Sequence, residues 1–198
     1  MHPTNSLRRV LLAAVAMPAV LLVLPAARAE DKPAGGAPPT PIPAAELVTL
    51  KPLAGSWSCQ GVAPAGAMGP GSPEMKYQST FKVTAIHGGF GYQFAYEQKK
   101  SKEHPIHFEG AWNVGWDAAK KKLAWFWLDN MGDLGAQTSP MLEGETLVLE
   151  GEGAAVGRHA LLRDTFTRKG DKQMHWKGEL KPDGAPGWIN VGEDDCKK

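Results

Sequence analysis

Residues 173–180 read Gln-Met-His-Trp-Lys-Gly-Glu-Leu, with polar and apolar side chains alternating along the whole stretch. This period of two predicts a β-strand with one face buried and the other in solvent. On this pattern Met174 and Trp176 point inward, whereas His175 lies on the outer face. Because such a strand needs hydrogen-bonding partners on its edges, we expect further strands along the chain.

The same alternation recurs through most of the chain, separated by turn residues such as His87-Gly88-Gly89 and Pro182-Asp183-Gly184. It places Tyr77, Phe81, Val83 and Ala85 on an inner face. Strands are predicted at 56–62, 76–86, 91–98, 106–116, 122–129, 146–151, 158–169, 173–181 and 187–195, with a short one near 137–142. The pattern predicts an all-β fold, an antiparallel meander of about 9–10 strands. Closure into a barrel would remove the exposed sheet edges.

A short helix is predicted before the first strand, over residues 44–53. Pro43 stands at its start, and Leu47, Leu50 and Leu53 share one apolar face.

The residues before this helix predict a signal peptide for export, followed by a linker. Arg8 and Arg9 precede an apolar run over residues 10–24, and Ala27-Arg28-Ala29 supplies a cleavage site. This is typical of a signal peptide over residues 1–29. The run is too short for a membrane span and contains Pro18. A Pro-, Ala- and Gly-rich linker is predicted over 30–45, and the β-barrel domain over 46–198. We therefore expect a periplasmic or extracellular protein.

Composition excludes several classes of protein. Lys and Arg total 22 against 21 Asp and Glu, which does not suit a nucleic-acid binder. Seven Trp and 42% hydrophobic residues are enough for a packed core. Two Cys exclude a disulfide-dense miniprotein. Nothing in the sequence indicates an oligomeric state.

A set of motifs carries a family resemblance. Leu53-Ala54-Gly55-Ser56-Trp57 resembles the G-x-W start of calycin barrels such as lipocalins, avidins and nitrobindin-like proteins. The full order of motifs resembles the bacterial domain-of-unknown-function 1579 family over about residues 47 to 196. Those motifs are Leu53–Gly61, Gly88–Phe90, Gly115–Asp117, Trp127–Gly132 and Leu161–Phe166. The resemblance implies a calycin-like antiparallel barrel and supplies no catalytic residue.

The resemblance also implies structural roles and one cofactor hypothesis. In calycins the G-x-W tryptophan closes one end of the barrel under a late-strand arginine, which here would place Arg163 over Trp57. Nitrobindin-like barrels bind haem through one late-strand histidine, and His159 and His175 are the candidates. Alternation puts His175 outward, and an outward imidazole cannot coordinate an interior iron.

The two cysteines are predicted to form a disulfide. Cys59 lies on the first predicted strand and Cys196 on or beside the last, and these strands are neighbours in a closed meander. An even number of cysteines in an oxidising compartment supports the pairing. The bond would latch the seam of the barrel.

An interior rich in aromatic side chains either fills itself or holds a small apolar or aromatic ligand. Asp129 and Asn130 follow an aromatic strand, where they would orient a ligand at the barrel mouth or simply form a turn. The candidates for lining a pocket are Tyr92, Phe94, Tyr96, Trp112, Trp116, Trp125, Trp127, Asp129 and Asn130. A filled barrel that acts through its surface at the cell envelope is the alternative, and a haem protein or enzyme that uses a histidine is a third.

No catalytic or metal-binding motif is recognisable. The sequence has no G-x-S-x-G elbow, H-E-x-x-H motif or phosphate-binding glycine loop. His104 and His107 flank Pro105, which disrupts helical geometry, so they are predicted to lie at a solvated hairpin tip rather than in a metal site.

Overall fold

The computed structural model describes residues 40–102, 104–155 and 157–198. The predicted signal peptide and residues 30–39 of the predicted linker lie outside the described residues. The strands are β1 (Gly55–Ala63), β2 (Met75–Ile86), β3 (Gly91–Gln98), β4 (Phe108–Asp117), β5 (Lys122–Asp129), β6 (Leu134–Ser139), β7 (Thr146–Ala155), β8 (Arg158–Arg168), β9 (Gln173–Pro182) and β10 (Ile189–Lys197). Two 3₁₀-helices, η1 (Ala45–Leu53) and η2 (His87–Gly89), precede β1 and β3.

The ten strands form a closed antiparallel barrel, which confirms the predicted fold class. Each strand pairs with the next along the chain, and β1 pairs with β10 to complete the ring. The sixth strand begins at Leu134, three residues before the predicted start, and β7 extends to Ala155. No helix among the described residues is long and apolar enough to cross a membrane.

One end of the barrel is closed by η1. Leu47, Leu50 and Leu53 are all buried on the helix face that packs against the core. Their spacing of three residues matches the 3₁₀-helix, in which side chains at i and i+3 eclipse. The apolar face predicted from the sequence is therefore confirmed.

Trp57 lies in this closed end, but the predicted arginine does not cover it. The indole N–H of Trp57 donates to the Leu53 carbonyl (2.8 Å), and Lys198 Nζ lies 4.5 Å from the centre of the indole ring. Arg163 instead lies over the ring of Trp188, at 4.0 Å, and pairs with Glu150. The prediction failed because Arg163 alternates with the inward Leu162 and Asp164 on β8 and so points away from Trp57.

Aromatic side chains fill the barrel next to this closed end. Phe94 packs against Trp125 and Phe166 with ring centres 4.8 and 5.6 Å apart, and Phe81 contacts Phe166 at 5.9 Å. All four are at most 2% exposed. One inward prediction on β2 was wrong: Ala85 is exposed, because regular burial ends at Val83.

The predicted disulfide between Cys59 and Cys196 is present, with an S–S distance of 2.02 Å. The two residues lie directly opposite each other in the β1–β10 ladder. Both are buried, at 4% and 2% exposure. The bond therefore joins the first and last strands inside the seam.

Candidate ligand-binding site

A cavity of about 270 Å³ occupies the end of the barrel opposite η1. This volume lies just below the usual range for ligand sites, about 300–1,000 Å³, so the cavity suits a small molecule. Side chains from the strand ends form its wall, and the loops after β1 and β3 contribute to it. The wall includes Ala63, Tyr77, Tyr96, Gln98, Phe108, Trp112, Trp127, Asp129, Leu162, Asp164, Trp176 and Leu180.

Two stacked tryptophans form one side of the cavity. Trp112 on β4 and Trp127 on β5 are paired residues, and their rings lie 5.5 Å apart at an angle of 18°. Phe108 contacts Trp127 at 6.3 Å, and Tyr96 contacts Phe108 at 5.7 Å. The indole N–H of Trp112 is buried and has no hydrogen-bond partner within the described part of the chain. This wall therefore combines aromatic surface with an unused donor.

A third tryptophan on the cavity wall is fixed by a buried carboxylate. The indole N–H of Trp176 donates to Asp164 Oδ1 (2.8 Å), and Gln137 Nε2 donates to Asp164 Oδ2 (2.8 Å). Burial raises the pKa of Asp164 to about 6, although both hydrogen bonds favour the charged form. Asp164 thus keeps a carboxylate inside the barrel near neutral pH.

A second buried carboxylate lies on β10. Ser79 Oγ donates to Asp194 Oδ1 (2.9 Å), while Asp194 Oδ2 has no partner among the described residues. Asp194 is completely buried, and burial raises its pKa to about 6. Opposite it in the ladder is Gly61. A Cβ at Gly61 would overlap Tyr77 Cε2 and Asp194 Oδ1, so glycine makes room for the ring that borders the cavity.

Gly61→Ala is expected to lower the free energy of unfolding by about 1–3 kcal/mol, because the added methyl group forces Tyr77 and Asp194 to move. Urea unfolding measures the change. Gly187→Ala is the matched control, since nothing lies within 4 Å of the position of its Cβ. Equal effects of the two substitutions would contradict the close packing at Gly61.

Asp129 stabilises the turn after β5 and also lines the cavity. Its Oδ1 accepts hydrogen bonds from the backbone N–H groups of Met131 (2.8 Å) and Asp133 (3.0 Å), which is an Asx turn. Its Oδ2 is buried with no partner in the described ranges. Burial also raises the pKa of Asp129. One carboxylate oxygen is therefore committed to the turn, whereas the other is unused.

His104 is buried at the cavity, which corrects the predicted solvated hairpin tip. It is 4% exposed, and its ring lies 5.9 Å from that of Tyr77. With Nδ1–H donating to the Ile106 carbonyl (3.0 Å), Nε2 accepts from Gln98 Nε2 (2.8 Å). These bonds fold the loop after β3 over the open end. His107 stays at the surface, 3.6 Å from Glu97.

The geometry of the chain can be compared with known families. A family model described as "Protein of unknown function (DUF1579)" matches residues 42–193. The chain belongs to the DUF1579 family. The match covers η1 and almost all of the barrel, as the motifs predicted. No curated protein matches the chain.

The structure divides the predicted pocket residues of this DUF1579 domain into two groups. Tyr96, Trp112, Trp127 and Asp129 line the cavity. The other candidates do not: Tyr92, Phe94, Trp125 and Trp116 belong to or pack against the core, and Asn130 is an exposed turn residue. Asn130 donates to the His107 carbonyl (3.1 Å) and accepts from the Glu109 N–H (3.1 Å). It joins the turn after β5 to the start of β4 and the residue before it, and it does not line the cavity.

Sequence reasoning missed Gln98, His104 and Asp164 as cavity residues. Asp164 has a detectable signal, because it stands two residues after Leu162 and two before Phe166, on the inward parity of β8. His104 has none, since a loop's path over a barrel mouth depends on tertiary contacts.

The late-strand histidines do not fit a haem site inside the DUF1579 barrel. His159 is exposed and lies 2.9 Å from Asp183, and His175 lies 3.0 Å from Asp195 on the outer face. Neither imidazole faces the interior. No cluster of three or more His, Cys, Asp or Glu residues among those described is arranged to hold a metal ion.

Proposed function

We propose that this barrel binds a small apolar or aromatic molecule in the cavity at its open end. The observation that carries the proposal is the division of the interior: packed aromatic rings fill the half next to η1, whereas the other half keeps a cavity with an aromatic wall. A wholly filled barrel would have closed this space, because protein interiors pack to high density.

We also propose that the protein works in the periplasm or outside the cell. A disulfide buried in the barrel seam fits an oxidising compartment. The basic, apolar and small-residue pattern of residues 1–29 supports export.

Blocking the cavity tests the binding proposal. We expect 2-phenylethanol, a small neutral aromatic probe, to bind the purified protein in calorimetry. Ala63→Phe should weaken this binding by about tenfold or more, because the ring would occupy space that the ligand needs. Ala63 is 4% exposed and lines the cavity, so its Cβ is well placed for this purpose.

Ala85→Phe is the matched control, since Ala85 lies on the same strand pair but is exposed near the closed end. It should leave binding unchanged, and circular dichroism should show both variants folded. Binding that survives Ala63→Phe, or is absent from the parent protein, would contradict the proposal.

A specific feature supports the alternative, a barrel that acts through its surface. Phe126, Leu128 and Leu134 project outward from neighbouring strands and are 49%, 52% and 45% exposed. Exposed apolar groups of this kind mark interaction surfaces. If Phe126→Ser abolishes association of the protein with a partner but leaves probe binding normal, this alternative is favoured.

A further inference from the structure

We propose that the ligand is a small organic cation, an ammonium group on an apolar or aromatic body, with Asp129 as its counter-charge and the Trp112–Trp127 wall as its aromatic face. This inference rests on the proposed function, because it assigns a ligand class to the same cavity. Its evidence is the balance of charge around the cavity and the unused polar atoms on its wall.

The charged groups at the cavity are mostly acidic. Asp129, Asp133, Asp164 and Glu179 line it, against Arg163 and His104. The guanidinium of Arg163 is already paired, with Glu150 at 2.6 Å and Glu179 at 3.5 Å. The ring nitrogens of His104 are engaged by Gln98 and Ile106. Glu179 is therefore compensated by Arg163 and also by Lys177, at 2.9 Å, so the negative charge that a ligand meets comes from the two buried carboxylates, Asp129 and Asp164.

Within the described part of the chain, neither Asp129 nor Asp164 has a cationic partner. No Lys, Arg or His in the ranges the structure describes lies within 4.0 Å of the carboxylate of Asp129 or Asp164. Buried carboxylates are costly unless they are paired. A bound cation would supply the missing charge, and Asp129 Oδ2 would accept its hydrogen bond.

The aromatic side chains beside Asp129 suit the same ligand. Asp129 follows Trp127 by two residues on β5, so both point into the barrel, and Gly110 lies opposite Asp129 in the ladder. Gly110 stands between Phe108 and Trp112 on β4. Because it has no side chain, Asp129 lies close to the β4 backbone at this position. A cation held at this carboxylate would lie next to indole faces, which attract ammonium groups.

The amphipathic character of the cavity also argues for one charged end. Asp129 Oδ2 and Trp112 Nε1 are both buried without partners among the described residues, and both residues line the cavity. A purely apolar ligand would leave both atoms unsatisfied, and only the carboxylate oxygen is an acceptor that an ammonium ion can satisfy, because the Trp112 indole N–H is itself a donor. An ammonium ion satisfies the carboxylate directly, while its apolar body fills the remaining space against Leu162 and Leu180.

An isosteric pair of probes tests the charge. We expect 2-phenylethylamine, protonated at pH 7.5, to bind the protein at least about tenfold more tightly than 2-phenylethanol in calorimetry. Asp129→Asn should remove most of this preference and leave the affinity for the alcohol within about twofold, because asparagine keeps the turn acceptor but not the charge.

Asp117→Asn is a matched control. Asp117 also ends a strand and accepts hydrogen bonds from two backbone N–H groups, those of Ala119 and Lys120, but it is not on the cavity wall. This variant should keep the preference for the amine.

The outcomes separate the two proposals. If the alcohol binds as tightly as the amine, the cation inference is wrong and the proposed binding function stands. If neither probe binds, both are wrong. If the amine is preferred but Asp129→Asn keeps the preference, the assignment of Asp129 is overturned. The comparison of the two probes on the parent protein needs no variant, so a misfolded variant would not prevent the test.

Discussion

Replacing Cys59 and Cys196 together by serine is expected to lower the free energy of unfolding by about 5 kcal/mol. The disulfide closes a loop with a sequence separation of 137 residues, so it removes a large part of the conformational freedom of the unfolded chain. It also holds two strands that are far apart in the sequence at their ladder positions. Urea unfolding without reductant measures the loss.

A reductant separates the bond from the substitutions. Dithiothreitol should lower the stability of the parent protein by a similar amount and should leave the double variant unchanged. A parent protein that keeps its stability after full reduction would show that the ladder alone holds the seam.

A second large effect is expected from the pH dependence of Asp164→Asn. Burial raises the pKa of Asp164 from 3.8 to about 6, so between these values the folded protein binds more protons than the unfolded chain. Stability therefore falls as the pH rises through this window, and the loss amounts to about 3 kcal/mol for this group. Asparagine does not titrate and avoids this loss.

The measurement compares the variant with the parent at pH 4 and pH 7.5. The stability of Asp164→Asn relative to the parent should rise by about 2 kcal/mol between the two pH values, because part of the loss has already occurred at pH 4. The amide can donate to Gln137 Oε1 if the Gln137 side-chain amide turns over, because Gln137 directs Nε2 at residue 164 and its Oε1 is unpartnered among the described residues. Asp171→Asn is the control, because the Asp171 side chain is 94% exposed, and its relative stability should stay nearly constant. The same flat profile for Asp164→Asn would show that its carboxyl is not penalised by burial.

The fold could be predicted because its determinants are local. Alternation such as Met174, Trp176 and Gly178 identified inward faces, and turn residues marked the strand ends. The meander then placed the first and last strands side by side, so the partners in the disulfide followed from order alone. The inward parity of most of the core needed no long-range information, whereas the bounds of β6 and β7 differ from the prediction by several residues.

The site was only partly predictable, for physical reasons. Tyr92 and Tyr96 share one face of β3, yet Tyr92 packs in the core and only Tyr96 lines the cavity, because height along the barrel depends on strand stagger. Acidic residues are expected in solvent, so the sequence alone does not identify Asp164 and Asp194 as interior groups. The cation over Trp57 comes from Lys198, which lies just beyond the last strand, where alternation gives no information.

Because β1 pairs with β10, the barrel can close only late in the synthesis of the chain. β1 is among the first segments to be made, yet its partner follows only after eight intervening strands have emerged. Until then β1 and β9 each carry an open edge, which is the state most exposed to aggregation. A growing chain can form successive hairpins, but the barrel cannot close before β10 pairs with β1. The barrel therefore becomes a stable object only in one late step, after β10 has been made.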